Sequence, residues 1–271
     1  MKIKSKAPWV YVAVITVITY IPIILTIIYS FNESKITSVW EGFSLRWYAE
    51  LFRDRDMAEA LLNSIVLAGL SCLSAVVIGT TGAIGMQRYG TRQWASRFNG
   101  VVSYISLMPL MIPEIILGMV FLAAFSFMQL PFGMLTLVIA HTAFCVPYVF
   151  MTVKARLAGM DKSIEEAARD LGASGMQVFF DITLPAILPA ILSGVLLSFA
   201  MSFDDVVISI FVTGAKVNTL PIKIYTRMKT GVTPEINALA AVMLAVTIVI
   251  LLLGNLLGRQ RIDTENKEEI K

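Results

Sequence analysis

Residues 163–185 read SIEEAARDLGASGMQVFFDITLP, an amphipathic stretch that lies between two long apolar segments. Small and apolar side chains recur at i, i+3, i+4 and i+7 from Ile164 to Leu171, which is the spacing of one face of an α-helix. The opposite face carries Glu165, Glu166, Arg169 and Asp170. The stretch therefore predicts a short amphipathic helix in a connection between apolar segments.

Residue types at both ends of this helix predict where it begins and ends. Ser163, with Glu166 three residues later, has the pattern of a capping box, and Gly172 suits the left-handed residue that follows a helix. A second short helix is expected to begin at Ser174 and to continue to Leu184 and Pro185. The simplest interpretation is a connector whose apolar stripe packs on the rest of the protein.

The segments on either side are apolar enough to cross a membrane. Of the 271 residues, 57% are hydrophobic and 15% are charged, whereas soluble domains carry roughly 25% charged residues. The apolar residues occur in blocks of about 20, the length that a helix needs to cross about 30 Å of hydrocarbon. Because a helix satisfies its own backbone hydrogen bonds in lipid, the predicted fold class is an all-α integral membrane protein.

Six spans are expected within a single membrane domain, 1–271. They cover residues 10–29, 61–86, 101–127, 134–153, 187–212 and 236–257, with a cytoplasmic loop at 154–186. The first run continues through Ile28, too far for a cleaved signal peptide, so it is expected to remain as a helix. With the N-terminus inside, 14 Lys and Arg residues fall on the cytoplasmic side and 8 outside, which favours an N-in, C-in orientation. The net charge of +3 needs no nucleic-acid partner to explain it.

The spacing within the 154–186 loop identifies a family. Three residues separate Ala168 from Gly172, and nine separate Gly172 from Ile182. The pattern Glu166-Ala167-Ala168, Gly172 and Ile182-x-Leu184-Pro185 resembles, without a gap, the EAA motif of ABC-importer permeases. The resemblance implies a six-helix type I permease whose loop docks on an ATPase subunit. It also implies that coupling to the ATPase is carried by Glu166, Ala167, Ala168, Gly172, Ile182, Leu184 and Pro185.

Other stretches narrow the resemblance. WEGFSLRWY at 40–48, MSFDDVV at 201–207 and LPIKIY at 220–225 are similar to permeases of the spermidine/putrescine group, specifically to PotC-type subunits. The resemblance implies polyamine import across a bacterial inner membrane. The partners that it implies are a homologous second permease, two ATP-binding cassette subunits and an external polyamine-binding protein. No phosphate-binding loop occurs in the sequence, so no cofactor is expected on this chain, and ATP and Mg²⁺ are assigned to the ATPase.

Three acidic residues lie inside predicted spans, at Glu114, Asp204 and Asp205. A charge at the centre of a membrane helix costs at least about 2.5–3.5 kcal/mol, so such residues usually face a pathway or a partner. Glu114 and Asp204 each lie about 16 residues from the cytoplasmic end of their spans and are expected to share one level. Without Lys or Arg in the spans, these acids suit an organic cation.

Asp204 and Asp205 cannot both face one pathway, because adjacent helical residues point about 100° apart. One is expected to line the path and the other to cap a helix end or to bind a neighbour. The alternative is that the pair marks a solvated helix break near the outer surface.

The remaining reactive residues predict no catalytic or metal site. Cys72 and Cys145 are single cysteines in apolar helices, and His141 is the only histidine, with no evident partner for proton transfer. An intramembrane enzyme is therefore disfavoured. The alternatives left open are an ABC-importer permease for another solute, such as a metal chelate or thiamine, and a secondary transporter that works without ATP.

Overall fold

The computed structural model describes residues 7–34, 39–89, 93–215, 217–230 and 234–268. Throughout these ranges the chain is helical, apart from loops and one isolated antiparallel bridge between Asn32 and Phe43. The helices are α1 Ala7–Tyr29, α2 Arg46–Arg53, α3 Arg55–Tyr89, α4 Gln93–Met111, α5 Glu114–Phe127, α6 Met134–Ala158, α7 Lys162–Asp170, α8 Gly175–Gln177, α9 Leu184–Asp204, α10 Val207–Val212, α11 Leu220–Thr230 and α12 Pro234–Glu268. A π-helical turn, Val178–Thr183, joins α8 to α9.

The number of membrane-spanning segments agrees with the prediction. Among the described residues, five helical segments are long and apolar enough to span, and a bent pair makes a sixth. Helices α1, α3, α6 and α12 contain the first, second, fourth and sixth predicted spans. Helix α11 was not predicted.

The third predicted span, 101–127, is divided by a sharp bend into two helices. Helices α4 and α5 meet at an angle of 107°, with the break at Ile112 and Pro113. Proline has no backbone N–H, and its ring disfavours helical geometry in the residue before it. Pro113 itself is extended, with ψ at 134°, and the next helix, α5, begins at Glu114.

The fifth span, predicted as one helix over 187–212, is also different. Helical structure already begins at Gly175 and runs to Asp204, and the chain then breaks at Asp205 and Val206 before α10. Asp205 has an extended conformation, with φ at −69° and ψ at 126°. The aspartate pair therefore lies at a helix break, but Asp205 is buried rather than solvated as the alternative interpretation expected.

By packing, the chain divides into two compact units, one of residues 1–59 and 223–248 and the other of 60–222 and 249–271. Both boundaries of the second unit's main segment fall inside helices, α3 and α11, rather than in linkers. A single domain over 1–271 stays a prediction.

Polar contacts hold the loops of the first unit. The Trp47 indole N–H donates to the backbone carbonyl of Asn32 at 2.7 Å. The side-chain amide of Asn32 donates to the backbone carbonyl of Val39 at 2.6 Å. Arg227 of α11 pairs with Asp54, just before α3, and with Glu235 at the start of α12. From Trp9 to Tyr29, helix α1 is apolar on all sides and has no buried side chain, as expected for a helix in lipid.

The second unit has its core between α6 and α9. Leu137, Cys145, Val149 and Val153 of α6 are fully buried. Gly194 brings α9 very close to α6, because a Cβ there would lie 2.9 Å from Val149 Cα. Small residues of this kind let membrane helices approach closely, so this contact fixes the centre of the bundle.

Candidate functional site

The loop helix α7 begins at a different residue from the one predicted. Asp161 is the N-cap, and its carboxylate accepts a hydrogen bond from the backbone N–H of Ser163 at 2.9 Å. That hydrogen bond lowers the pKa of the Asp161 carboxyl. The predicted capping box of Ser163 and Glu166 is wrong, because Ser163 already lies inside the helix. Glu166 is exposed, without the predicted capping role.

The predicted end of α7 is confirmed. Gly172 has a φ of +91°, a conformation that glycine adopts without the steric cost a side chain would bring. Its N–H donates to the Arg169 carbonyl, and the N–H of Ala173 donates to the Ala168 carbonyl. The next helix begins where expected, with Ser174 as N-cap.

The orientation of α7 is opposite to the one that the simplest interpretation predicts. Ile164 is 58% exposed and Leu171 is 90% exposed, so the apolar stripe does not pack on this chain. Glu165 of the polar face instead accepts a hydrogen bond from the Thr183 hydroxyl at 2.8 Å. Helix α7 is therefore held by its polar side and presents its apolar side outward.

Exposed apolar residues continue beyond Gly172. Met176 and Phe180 are exposed, and together with Ile164 and Leu171 they make what we call the loop surface. A group of exposed apolar side chains is typical of a contact site for another protein.

The second half of the motif leads into α9. Ile182, Leu184 and Pro185 are half-buried at the junction of the π-helical turn and α9. Pro185 cannot donate the helical hydrogen bond, and a widened turn just before it accommodates this loss. Arg156 of α6 donates to the Ala186 carbonyl at 2.8 Å, which ties the start of α9 to the end of α6.

Each predicted intramembrane acid lies at a helix break. Glu114 is exposed in the first turn of α5, where a negative charge is favoured by the helix dipole. Asp204 is the exposed last residue of α9. Asp205 is buried at the break and accepts hydrogen bonds from the backbone N–H groups of Ile208 and Ser209 at 3.2 and 2.8 Å. Asp205 is therefore the capping member of the pair that the sequence left unassigned.

The helices that follow the two breaks pack on each other. A Cβ at Gly118 of α5 would lie 2.5 Å from the Phe211 ring of α10, so glycine is required for this approach. Glu114 lies one turn before Gly118 on α5. A common level for Glu114 and Asp204 stays a prediction.

His141 has partners that the sequence analysis missed. Its Nδ1 lies 2.8 Å from the Ser202 hydroxyl, and its Nε2 lies 3.0 Å from the Ser209 hydroxyl and 3.4 Å from an Asp205 oxygen. We call these four residues the His141 cluster. The spacing of Ser202, Asp205 and Ser209 at i, i+3 and i+7 was the available signal, because it places them on one helical face.

The structure also gives the positions of the two cysteines and of the potential metal ligands. Cys72 and Cys145 are buried and not joined in a disulfide. Within the described ranges, no three His, Cys, Asp or Glu side chains lie close enough together to hold a metal ion.

Comparisons with known proteins agree with the motif. Residues 75–260 match the family described as "Binding-protein-dependent transport system inner membrane component". The chain is 41% identical over 247 residues to the putrescine transport system permease protein PotI of Escherichia coli (strain K12), covering 88% of this chain and 86% of PotI. It is 39% identical over 243 residues to the spermidine/putrescine transport system permease protein PotC of Haemophilus influenzae, covering 89% and 92%.

Among solved structures, the fold is similar to a chain of a bacterial alginate ABC transporter in complex with an alginate pentasaccharide-bound periplasmic protein. The TM-score is 0.72 at 18% identity, covering 94% of this chain and 96% of that chain. This likeness shows the type I importer fold. The chain therefore belongs to the binding-protein-dependent transport system inner membrane components, as a multi-pass permease subunit.

Proposed function

We propose that this chain forms half of the translocation pathway of an ATP-driven importer of the polyamines spermidine and putrescine. A homologous permease supplies the other half, two ATP-binding cassette subunits bind ATP and Mg²⁺, and an external polyamine-binding protein delivers the substrate. Relatives about 40% identical over most of the chain, named as putrescine and spermidine/putrescine permeases, support this assignment.

The observation that carries the coupling role is the exposed loop surface on a rigidly held helix. Helix α7 is fixed by the Asp161 cap, by Gly172 and by the hydrogen bond from Thr183 to Glu165. A fixed helix can transmit a displacement from the ATPase, whereas a mobile loop would absorb it. Glu166, Ala167, Ala168 and Gly172 provide the contact, and Ile182, Leu184 and Pro185 lead the displacement into α9.

The substrate pathway is assigned to the acids at the two breaks. Glu114 and Asp204 are exposed carboxylates at helix ends in apolar spans, suited to pair with the ammonium groups of a polyamine. Asp205 supports the path by capping α10 rather than by facing it. ATP-driven closure of the ATPase pair is expected to open this region outward, and hydrolysis to return it inward.

Gly172→Ala and Gly175→Ala test the coupling role as a matched pair. A Cβ at either glycine meets no atom within 4 Å, and Gly172 alone of the two has a positive φ. Alanine in a left-handed conformation costs roughly 1–2 kcal/mol, so Gly172→Ala should distort α7 and Gly175→Ala should not.

The measurement is uptake of labelled spermidine and putrescine, together with ATPase stimulation, by the reconstituted complex. Gly172→Ala should reduce both several-fold with normal membrane insertion, while Gly175→Ala keeps both. Equal activity of the two variants would refute the coupling assignment.

The substrate assignment is tested in the same proteoliposomes. Glu114→Gln and Asp204→Asn should raise the half-saturating polyamine concentration, and an amino acid and an oxyanion should not be taken up. Uptake of a metal chelate or thiamine, without uptake of polyamines, would refute the polyamine assignment and identify that solute as the substrate. Uptake that survives ATP depletion under an ion gradient would instead indicate a secondary transporter.

A further inference from the structure

Helix α10 depends on side-chain contacts for its direction. It has only six residues, Val207–Val212, and helices shorter than about 12 residues are marginal on their own. The backbone between α9 and α10 is extended at Asp205, so no continuous helix holds the two together. The orientation of the end of α9 relative to α10, and therefore the position of Asp204, is set by the contacts that join these two helices.

His141 contacts all three parts of this break. Ser202 lies on α9 before the break, Asp205 at the break and Ser209 on α10 after it. His141 is 0% exposed, and its three partners are also buried. Buried polar groups of this kind are costly unless each finds a partner, so the whole cluster is held in one arrangement.

The chemistry of the cluster fits a proton on Nε2 of His141. A lone pair on Nε2 would face the Asp205 carboxylate, so we assign the N–H to Nε2, pointing at Ser209 and Asp205. Nδ1 lies within hydrogen-bonding distance of the Ser202 hydroxyl. A rigid ring with hydrogen-bonding atoms on two sides can join two helix segments.

Helix α6 provides a fixed base for His141. One turn further on, Cys145 and Ser198 of α9 exchange contacts, with the Ser198 hydroxyl donating to the Cys145 carbonyl at 3.3 Å. At the other end, the Thr136 hydroxyl of α6 donates to the Val212 carbonyl of α10 at 2.8 Å. Since α6 touches both α9 and α10, a side chain on α6 can fix the angle between them.

We infer that His141 is a positioning residue for transport, joining α9 to α10 across the break and thereby fixing where Asp204 is presented. The inference rests on the proposed role of Asp204 in the substrate pathway. His141 need not touch the substrate, because it acts through the backbone of the broken span.

The functional test uses His141→Ala in the full reconstituted complex, with Thr142→Val as the matched control. Thr142 is the next residue on α6, and its buried hydroxyl has no hydrogen-bond partner among the described residues. His141→Ala should raise the half-saturating spermidine concentration about tenfold, as expected for the loss of a hydrogen bond to a charged group, with a smaller change in maximal rate. Thr142→Val should change neither.

A double-mutant cycle tells positioning from general damage. If His141 acts through Asp204, the double variant His141→Ala/Asp204→Asn should be no worse than Asp204→Asn alone. Losses that multiply to about a hundredfold would overturn the inference, as would a His141→Ala variant that behaves like Thr142→Val. If His141→Ala does not assemble, Ser209→Ala removes one partner only and is put through the same cycle, with the same two outcomes deciding.

A structural measurement separates this inference from the proposed function. Hydrogen exchange of the complex in nanodiscs should become about tenfold faster in residues 205–212 of His141→Ala, and stay unchanged in residues 186–200. Unchanged exchange in 205–212 would refute the link across the break, whatever the transport result. Faster exchange, together with no effect of Asp204→Asn on polyamine uptake, would instead refute the pathway role of Asp204 and leave the link standing.

Discussion

Replacing Gly194 by alanine should separate the two helices at the centre of the bundle. A Cβ at this position would lie 2.8 Å from Thr152 Oγ1 and 2.9 Å from Val149 Cα. Carbon atoms in ordinary contact are about 3.5–4.0 Å apart, so the methyl group is roughly 1 Å too close. The Val149 atom belongs to the backbone, and therefore α6 or α9 as a whole has to move.

The magnitude follows from two opposing terms. Overpacking of a well-packed core typically costs about 1–3 kcal/mol. Alanine in a helix interior gains about 0.5–1 kcal/mol over glycine. The expected net loss for Gly194→Ala is therefore about 0–2.5 kcal/mol, and its midpoint of roughly 1 kcal/mol is equivalent to a fall in Tm of about 2–4 °C for a chain of this size.

The assay is thermal unfolding of the purified complex in nanodiscs, with Gly69→Ala as the control. Gly69 lies in α3, and a Cβ there meets no atom within 4 Å. The control should keep or slightly raise the Tm. If Gly194→Ala and Gly69→Ala have the same Tm, the close approach of α6 and α9 is not what stabilises this bundle.

Three further predictions concern other parts of the chain. Gly118→Ala should lower the Tm, because its Cβ would lie 2.5 Å from the Phe211 ring, and adding Phe211→Leu should recover part of the loss; a double variant no better than the single one would contradict this. Burial raises the pKa of Asp54, but the hydrogen bonds from Arg227 and from backbone N–H groups lower it by a larger amount, so the pKa lies below the usual 3.8 of an aspartate. The stabilisation is complete above pH 3.8 and is lost as the pH falls below it, so Asp54→Asn should reduce the difference between the Tm values measured at about pH 6 and about pH 3. The free energy of unfolding involved is about 1 kcal/mol or less, because the pair is partly exposed. Asp161→Ala removes the N-cap of α7, and hydrogen exchange in residues 162–170 should become several-fold faster while exchange in α9 does not change.

The sequence was sufficient for the features that depend on local chemistry. Blocks of about 20 apolar residues located the spans, since the thickness of the hydrocarbon sets helix length. Gly172 and Ser174 were correctly predicted as the end of one helix and the start of the next, because a positive φ and a side-chain cap are properties of single residues. The spacing of Glu166, Gly172 and Pro185 was sufficient to indicate the family.

Where two local sequence signals competed, the predicted helix boundary was wrong. Asp161 and Ser163 are both good N-cap residues, and the pattern with Glu166 favoured Ser163. Pro113 lies inside the predicted span 101–127, yet the helix ends just before it and the chain turns by 107°. Such choices depend on what the freed backbone groups meet in three dimensions, which a linear pattern does not contain.

By itself, then, the sequence determined an all-α membrane protein, its six spans, the motif loop and the three acids, because each follows from composition or short-range spacing. Only the tertiary structure decided that the apolar stripe of α7 faces outward, that Asp205 rather than Asp204 caps α10, and that His141 joins the broken span. The Asp205 cap joins groups only three and four residues apart, across a helix break that the sequence pattern left open. For α7 and for His141 the physical reason is sequence separation. The partners lie 18 to 68 residues apart along the chain, as in Thr183 with Glu165 and Ser209 with His141, and only the packing of α6 and α7 against the segments that follow them brings these groups within hydrogen-bonding distance.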